Sequence, residues 1–247
     1  MKNTGNTILI TGGTSGIGYG LAQRFLRAGN KVIVAGRRQE LLDQIAREND
    51  GIEAIRLDVT DPESIAALYR EVTASHPELN VLINMAGIMQ TEDLRNTSDL
   101  AVAEATVTTN LLAPIRLTSA FVPFLATRED AVIMNVSSGL AFVPLPITPT
   151  YNATKAAIHS FTESLRVQLA DTSIQVLELI PPAVQTTLLG QQDDENAMPL
   201  PEYLSEVMEI LRDEPDATEI RVKRVDFLRF AEVHGTYPQV LAMLSGR

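Results

Sequence analysis

The chain contains no cysteine, and that absence removes thiol nucleophiles, disulfide staples and thiolate metal sites together. Histidine is scarce as well: His76, His159 and His234 stand without the spacing of a ligand cluster, so a bound metal is not expected. Positive charge is in short supply too. With 20 Lys and Arg against 31 Asp and Glu the formal net charge is -11, a balance that repels polyphosphate backbones and argues against a nucleic-acid partner. No run is fit to cross a membrane. Ala131 to Thr154 carries no charge, but prolines and hydroxyl side chains interrupt it, and it reads as a buried strand followed by a loop. The opening MKNTGNTILI runs straight into a strand and lacks the basic, apolar and cleavage regions of a signal peptide, so a cytoplasmic location is expected.

What is present is an even spread of apolar residues, 45% of 247, enough to bury a core without staples and without a composition break. The expectation is one α/β domain over residues 1–247. Short runs rich in Val and Ile recur at Thr7 to Ile10, Lys31 to Ala35, Ile52 to Leu57, Val81 to Ile83, Ala131 to Val136 and Ile174 to Ile180. Between them, stretches such as Gly18 to Ala28, Glu63 to Ala74 and Asn152 to Ala170 repeat their apolar residues at helical spacing. Such alternation predicts a doubly wound parallel sheet with helices on both faces, a three-layer α/β/α sandwich whose ligands bind at the carboxyl ends of the strands. After Thr187 the alternation fails. An acidic, turn-rich stretch leads to a helical pattern at Leu204 to Leu211 and a last candidate strand at Glu219 to Val222, which predicts a mobile substrate lid at about 187–212.

Directly after the first strand comes Thr11-Gly12-Gly13-Thr14-Ser15-Gly16-Ile17-Gly18, and then a helix. Glycines at 12, 16 and 18 permit a tight turn, a close backbone approach to a pyrophosphate and close helix packing, while the helix N-terminus supplies amides. The end of the second strand selects the nucleotide. An acid there would hold a ribose 2'-hydroxyl, but this chain has Gly36-Arg37-Arg38, two guanidinium groups suited to a 2'-phosphate. NADP(H) is therefore favoured over NAD(H), with Arg37 the sharper candidate and Arg38 equally readable as a solvated helix start.

Tyr151 and Lys155 stand four apart at the start of a helix and share one face. A phenol titrates near 10, and an adjacent ammonium and an oxidised nicotinamide ring would together lower that value toward the working range of an acid-base catalyst. Ser138, just beyond the fifth strand, can donate to a substrate oxygen beside the tyrosine; Ser137 is its competitor. Asn110 precedes Pro114 by four, and the missing proline amide leaves the carbonyl of residue 110 without its helical donor. His159 reads as a packed histidine, and the basic run Arg221, Lys223, Arg224 and Arg229 as a solvated face or subunit contact.

The TGxxxGxG spacing, Asn84-Met85-Ala86-Gly87, Asn110, Ser138, the Tyr151-xxx-Lys155 pair and Pro181 to Thr186 together resemble the short-chain dehydrogenase/reductase family, in its compact branch, over about residues 5 to 187. The resemblance implies a Rossmann fold and hydride transfer between NADP(H) and a small carbonyl or secondary alcohol. It also implies that Asp58 and Val59 meet the adenine, that Asn84, Ala86, Gly87, Pro181, Val184 and Thr186 line the cofactor, and that Lys155 holds the nicotinamide ribose. Asn110 would hold a water leading to the lysine. A homodimer or homotetramer is expected on the same ground. Two positions depart from the family: Met85 replaces a second asparagine and Pro182 replaces a glycine. The last sixty residues fit the general pattern poorly and are more similar to a subgroup associated with D-alanyl-lipoteichoate genes, an association silent about chemistry. The uncharged loop Leu140 to Thr150, with Leu188, Leu189 and Met198 beyond it, predicts an apolar pocket for an uncharged ketone or aldehyde.

Overall fold

The computed structural model describes residues 1–96 and 99–246. Its centre is a parallel sheet of seven strands: β1 (Thr7–Thr11), β2 (Lys31–Gly36), β3 (Ile52–Arg56), β4 (Val81–Asn84), β5 (Val132–Val136), β6 (Gln175–Leu179) and β7 (Glu219–Ile220). They lie in the order β3-β2-β1-β4-β5-β6-β7. The order reverses between β1 and β4, so a crevice opens at their carboxyl ends, where this fold binds its ligands.

Alternation along each strand sends side chains to two faces, and the burial follows it. Ile8 and Ile10 of β1 join the core beneath α1 (Gly16–Arg27), α2 (Gln39–Glu48) and α7 (Leu200–Asp213), whereas Leu9 joins the opposite core. That second core lies beneath α3 (Pro62–Ser75), α5 (Ala113–Leu125) and α6 (Pro149–Gln168). Helix starts are locally specified: Asp61 accepts the Glu63 amide at 2.9 Å ahead of Pro62.

Two expectations change. The lid foreseen over 187–212 divides, because Tyr203, Leu204, Val207 and Leu211 of α7 are buried on one face of that helix and pack toward α1. At Gly20 of α1 a β-carbon would come within 2.3 Å of Leu204. The second half of the segment is thus core, by the same periodicity that makes it a helix, whereas residues from Thr187 to Asn196 border the crevice. The second change concerns Pro114. Between α4 (Leu100–Val107) and α5 the chain widens into a π-turn over Thr108–Leu112, in which the Ala113 amide reaches back five residues to Thr108. The proline, in the first turn of α5, is therefore absorbed by a wide turn placed ahead of it. Such bulges favour functional sites.

Candidate active site

The turn after β1 is built by backbone proximity. Gly12 has φ +69, and a β-carbon there would lie 2.7 Å from Ala86 Cα; at Gly18 it would lie 2.5 Å from the Gly12 carbonyl. No side chain fits at either position. Ser15 precedes α1 in extended conformation without capping it, and the first turn holds no acid. The amides of α1 and the positive end of its dipole thus face an open groove of about 470 Å³, lined by Gly12, Thr14, Ser15, Gly16, Ile17 and Gly18 together with Arg37, Arg38, Val59, Ala86, Gly87 and Thr186. This is the setting for an anion.

The two arginines are not equivalent. Arg38 donates to Ser15 Oγ at 3.0 Å and Thr14 Oγ1 at 3.3 Å, so the guanidinium once left open to a solvated reading stands on the phosphate turn. Arg37 lies farther along the groove, where its charge acts on Asp58. The Asp58 carboxyl accepts from Thr60 Oγ1 at 2.7 Å and from the Thr60 amide at 2.9 Å, bonds that hold it below the usual carboxylate range. Val59 lines the groove, but Asp58 is turned toward Thr60. Asn84 also sits behind the surface: buried, it donates to Asn135 Oδ1 at 2.8 Å and Thr118 Oγ1 at 3.2 Å. It braces β4 against β5 beneath Ala86 and Gly87.

The catalytic candidates converge at the carboxyl end of β5. Ser138 Oγ accepts the Leu140 amide at 3.1 Å, which leaves its own proton to be donated outward. Tyr151, buried on the first turn of α6, stands beside Ser138, whose side chain draws the phenol's pKa down. Lys155 Nζ donates to the Val136 carbonyl at 2.8 Å and lies 5.5 Å from the centre of the Tyr151 ring. Burial pushes the phenol up to about 12, against the pull of Ser138, and pushes the lysine down to about 8, against the pull of Glu178. The sequence leads us to expect a phenol lowered by Lys155 and an oxidised nicotinamide together; in the protein alone desolvation is the largest influence, and the phenol keeps its proton at neutral pH. The side chain of Asn110 is spent on the backbone of Ile88, accepting at 2.8 Å and donating at 2.7 Å. A β-carbon at Gly87 would lie 3.4 Å from Asn110 Oδ1 and 3.9 Å from Lys155 Nζ, so asparagine, glycine and lysine meet at one point.

Beside this cluster opens a cavity of about 490 Å³, lined by Ser138, Tyr151, Lys155, Pro181, Pro182, Val184 and Thr186 and walled by Met85, Leu140, Leu145 and Leu188. Of the two departures, Pro182 lines this cavity and Met85 borders both the cavity and the groove. Ser137 lines it as well, its hydroxyl buried without a hydrogen-bond partner among the described residues. The far wall was missed. Arg224, Phe227, Met243 and Leu244 reach the cavity from the last twenty-five or so residues, and Arg224 donates to the Asn196 carbonyl at 2.7 Å on the rim. Nothing in the spacing of that basic run distinguished this arginine from its neighbours.

A further element escaped the sequence reading. Glu92 is buried and accepts from the Thr150 amide at 3.1 Å and Thr150 Oγ1 at 2.6 Å. It caps the helix that carries Tyr151, one residue away.

The profile of the family described as short chain dehydrogenase matches residues 6–197. An uncharacterized oxidoreductase, DltE, of Bacillus subtilis is 40% identical over 237 residues, covering 94% of this chain and 93% of that one. Sulfoacetaldehyde reductase 2 of Chromohalobacter salexigens is 32% identical, over 77% of this chain and 78% of its own. A short chain dehydrogenase of Burkholderia cenocepacia, solved in complex with NADP, superposes with a TM-score of 0.83 over 98% of both chains at 25% identity.

Proposed function

The chain belongs to the short-chain dehydrogenase family, and from that premise we propose that it transfers hydride between NADP(H) and a largely apolar, uncharged carbonyl or secondary alcohol. One observation carries the reading: Ser138, Tyr151 and Lys155 line one cavity that meets the nucleotide groove at Ile17, Gly87 and Thr186. The groove fits the cofactor because its floor admits no side chain at Gly12 and Gly18 and Arg38 stands on the turn. When bound, the cofactor supplies or takes the hydride. Tyr151 gives its proton to the carbonyl oxygen, Ser138 donates a second hydrogen bond to that oxygen, and the Lys155 ammonium stabilises the phenolate left behind. Leu188 and Gln191 wall the cavity from the segment that follows Thr187. By analogy with the family, we read the protein as a cytoplasmic homo-oligomer paired through α6.

Arg224 on the rim favours a second reading, a carbonyl compound with an anionic group remote from the reacting carbon. The sulfonate in the name of the Chromohalobacter relative belongs to that chemistry. Loss of absorbance at the reduced-nicotinamide band, followed for NADPH and NADH against matched neutral and anionic aldehydes and ketones, tests both. Turnover with NADPH on neutral members supports the first reading, and a preference for anionic members at least tenfold in kcat/KM replaces it with the second. A silent panel with tight NADPH binding would leave a nucleotide sensor or scaffold instead.

A further inference from the structure

Behind the catalytic lysine lies a charged cluster that the reaction does not use. Glu178 on β6 is fully buried, and its two oxygens lie 2.8 and 3.1 Å from Nδ1 of His159. His159 follows Lys155 by four residues on α6, so one helix face presents the ammonium and the imidazole a turn apart. Along β6, Val176 shares the face of Glu178 and packs in the core beneath α6. A carboxylate taken from water requires cationic or hydrogen-bonding partners, and α6 offers it two.

The groups around Glu178 come from four elements. On α6 stand Lys155, His159 and Glu163, the last 3.8 Å from His159 Nε2. On β7, Glu219 is in register with Glu178, a second carboxylate on the neighbouring strand. Arg229, on α8 (Asp226–Arg229), holds Glu219 at 2.7 Å, and Arg221 lies 3.6 Å from it. The turn after Ser138 adds Phe142, edge-on to His159 at 4.8 Å between ring centres and covered by Arg229 at 4.5 Å. Arg229 answers Glu219 directly, and its charge also reaches Glu178 and His159. Lys155 and His159 are the two cations that α6 itself sets over Glu178. His159, Glu178 and Glu219 bring their ligand atoms within 4.8 Å of one another, and Arg229, hydrogen-bonded to Glu219, supplies a positive charge to the same cluster.

We propose that Glu178 is a positioning residue that keeps Lys155 in its ammonium form, and that the protonation of His159 sets how much of the carboxylate's charge the lysine feels. Burial drives Lys155 down and Glu178 opposes it, while the hydrogen bond that His159 donates to Glu178 drives His159 up. With His159 protonated, Glu178 is largely neutralised. As pH rises and His159 loses its proton, the full negative charge falls to Lys155, whose hold on its own proton strengthens. The couple therefore widens the pH range over which the lysine stays charged. The effect on turnover rests on the hydride-transfer reading above; the electrostatic coupling does not.

The test is a pH titration of the full chain carrying ¹⁵N-labelled lysine, with the Lys155 Nζ resonance identified by its loss in Lys155→Arg, beside the pH profile of carbonyl reduction. Glu178→Gln is expected to lower the Lys155 midpoint by about one pH unit, a tenfold change in its neutral fraction. His159→Arg, a permanent cation, lowers it in the same direction by roughly half as much, and His159→Gln leaves it at or above the parent value. If Glu178→Gln does not fold, the two His159 variants decide, because the arginine variant must titrate below the glutamine one. Midpoints equal across the variants that fold overturn the proposal. Midpoints that move as expected in a protein that reduces no carbonyl would sink the hydride-transfer reading and leave the coupling standing. Normal reduction with unmoved midpoints would sink the coupling alone.

Discussion

The two ends of the crevice are built by opposite means. The nucleotide groove is made of backbone: glycines at positions where a β-carbon would strike Ala86 or the Gly12 carbonyl, and helix amides left uncapped. The substrate cavity is made of side chains from distant segments, with Met85, Leu145, Leu188, Arg224, Phe227 and Met243 converging on it. A site built of backbone tolerates almost no substitution where chain approaches chain. One built of side chains can be re-lined residue by residue, and a shared scaffold can thereby serve many substrates.

The comparison breaks most sharply at the seam. Tyr151→Phe keeps the ring and its packing but deletes the transferable proton, and is expected to lower kcat by about 1,000-fold. NADPH affinity, measured by fluorescence titration, should stay within about twofold, because the hydroxyl faces the cavity rather than the phosphate turn. A variant that loses affinity and rate together would make Tyr151 part of the cradle instead.

On the nucleotide side, Gly12→Ala puts a methyl 2.7 Å from Ala86 Cα at a residue with φ +69. Clash and left-handed strain act together, and the NADPH Kd is expected to rise about 100-fold, the equivalent of two tenfold steps of about 1.4 kcal/mol each. Arg38→Asp should raise it about thirtyfold, since a charge-assisted hydrogen bond of roughly 1.5–3 kcal/mol gives way to repulsion. NADH affinity should hardly move. If Arg37→Asp has the larger effect, the 2'-phosphate sits farther along the groove than the contacts of Arg38 indicate.

The same contrast decides what could be read from the sequence. Glycine spacing reports backbone approach, and strand alternation reports burial, so the seven strands, the phosphate turn and the Tyr151–Lys155 face were all legible. Long-range side-chain convergence leaves no such mark. Arg224 looked like Arg221 and Lys223, Glu92 like any surface acid, and α7 like part of a lid, because only the folded chain says what lies opposite them. The titration of Tyr151 follows a related rule: spacing shows the neighbouring cation, but not the depth of burial that raises the phenol. Arg37 and Arg38 both line the groove, and only the turn of the chain sets Arg38 alone against Thr14 and Ser15.

Titration sharpens the contrast further, because the resolved shifts at the reacting groups lie on the buried side. Lys155 has its folded pKa lowered from 10.5 to about 8 by burial, so the ammonium is present below that value and lost as pH rises through it. Tyr151, near 12, remains protonated throughout this window. The kcat/KM for NADPH, which reports the free enzyme, is therefore expected to be level below about pH 8 and to fall about tenfold per unit above it. A profile level to pH 10 would mean that the lysine charge is not needed for binding or chemistry.

The smallest expected effect lies farthest from the cradle. Phe227 is 46% exposed and reaches the cavity from the C-terminal segment, so its ring can cover a substrate but is not needed to hold the core. Truncation in Phe227→Ala removes part of one apolar wall, worth roughly 1 kcal/mol of contact with a bound ligand, and KM for a neutral aryl or alkyl ketone should rise about fivefold with kcat nearly unchanged. A uniform loss of binding leaves the chemical step alone, which separates KM from kcat. The result also discriminates between the two substrate readings. For an anionic carbonyl compound held at the rim by Arg224, the same truncation should matter less than Arg224→Gln, whereas for a neutral one the order reverses.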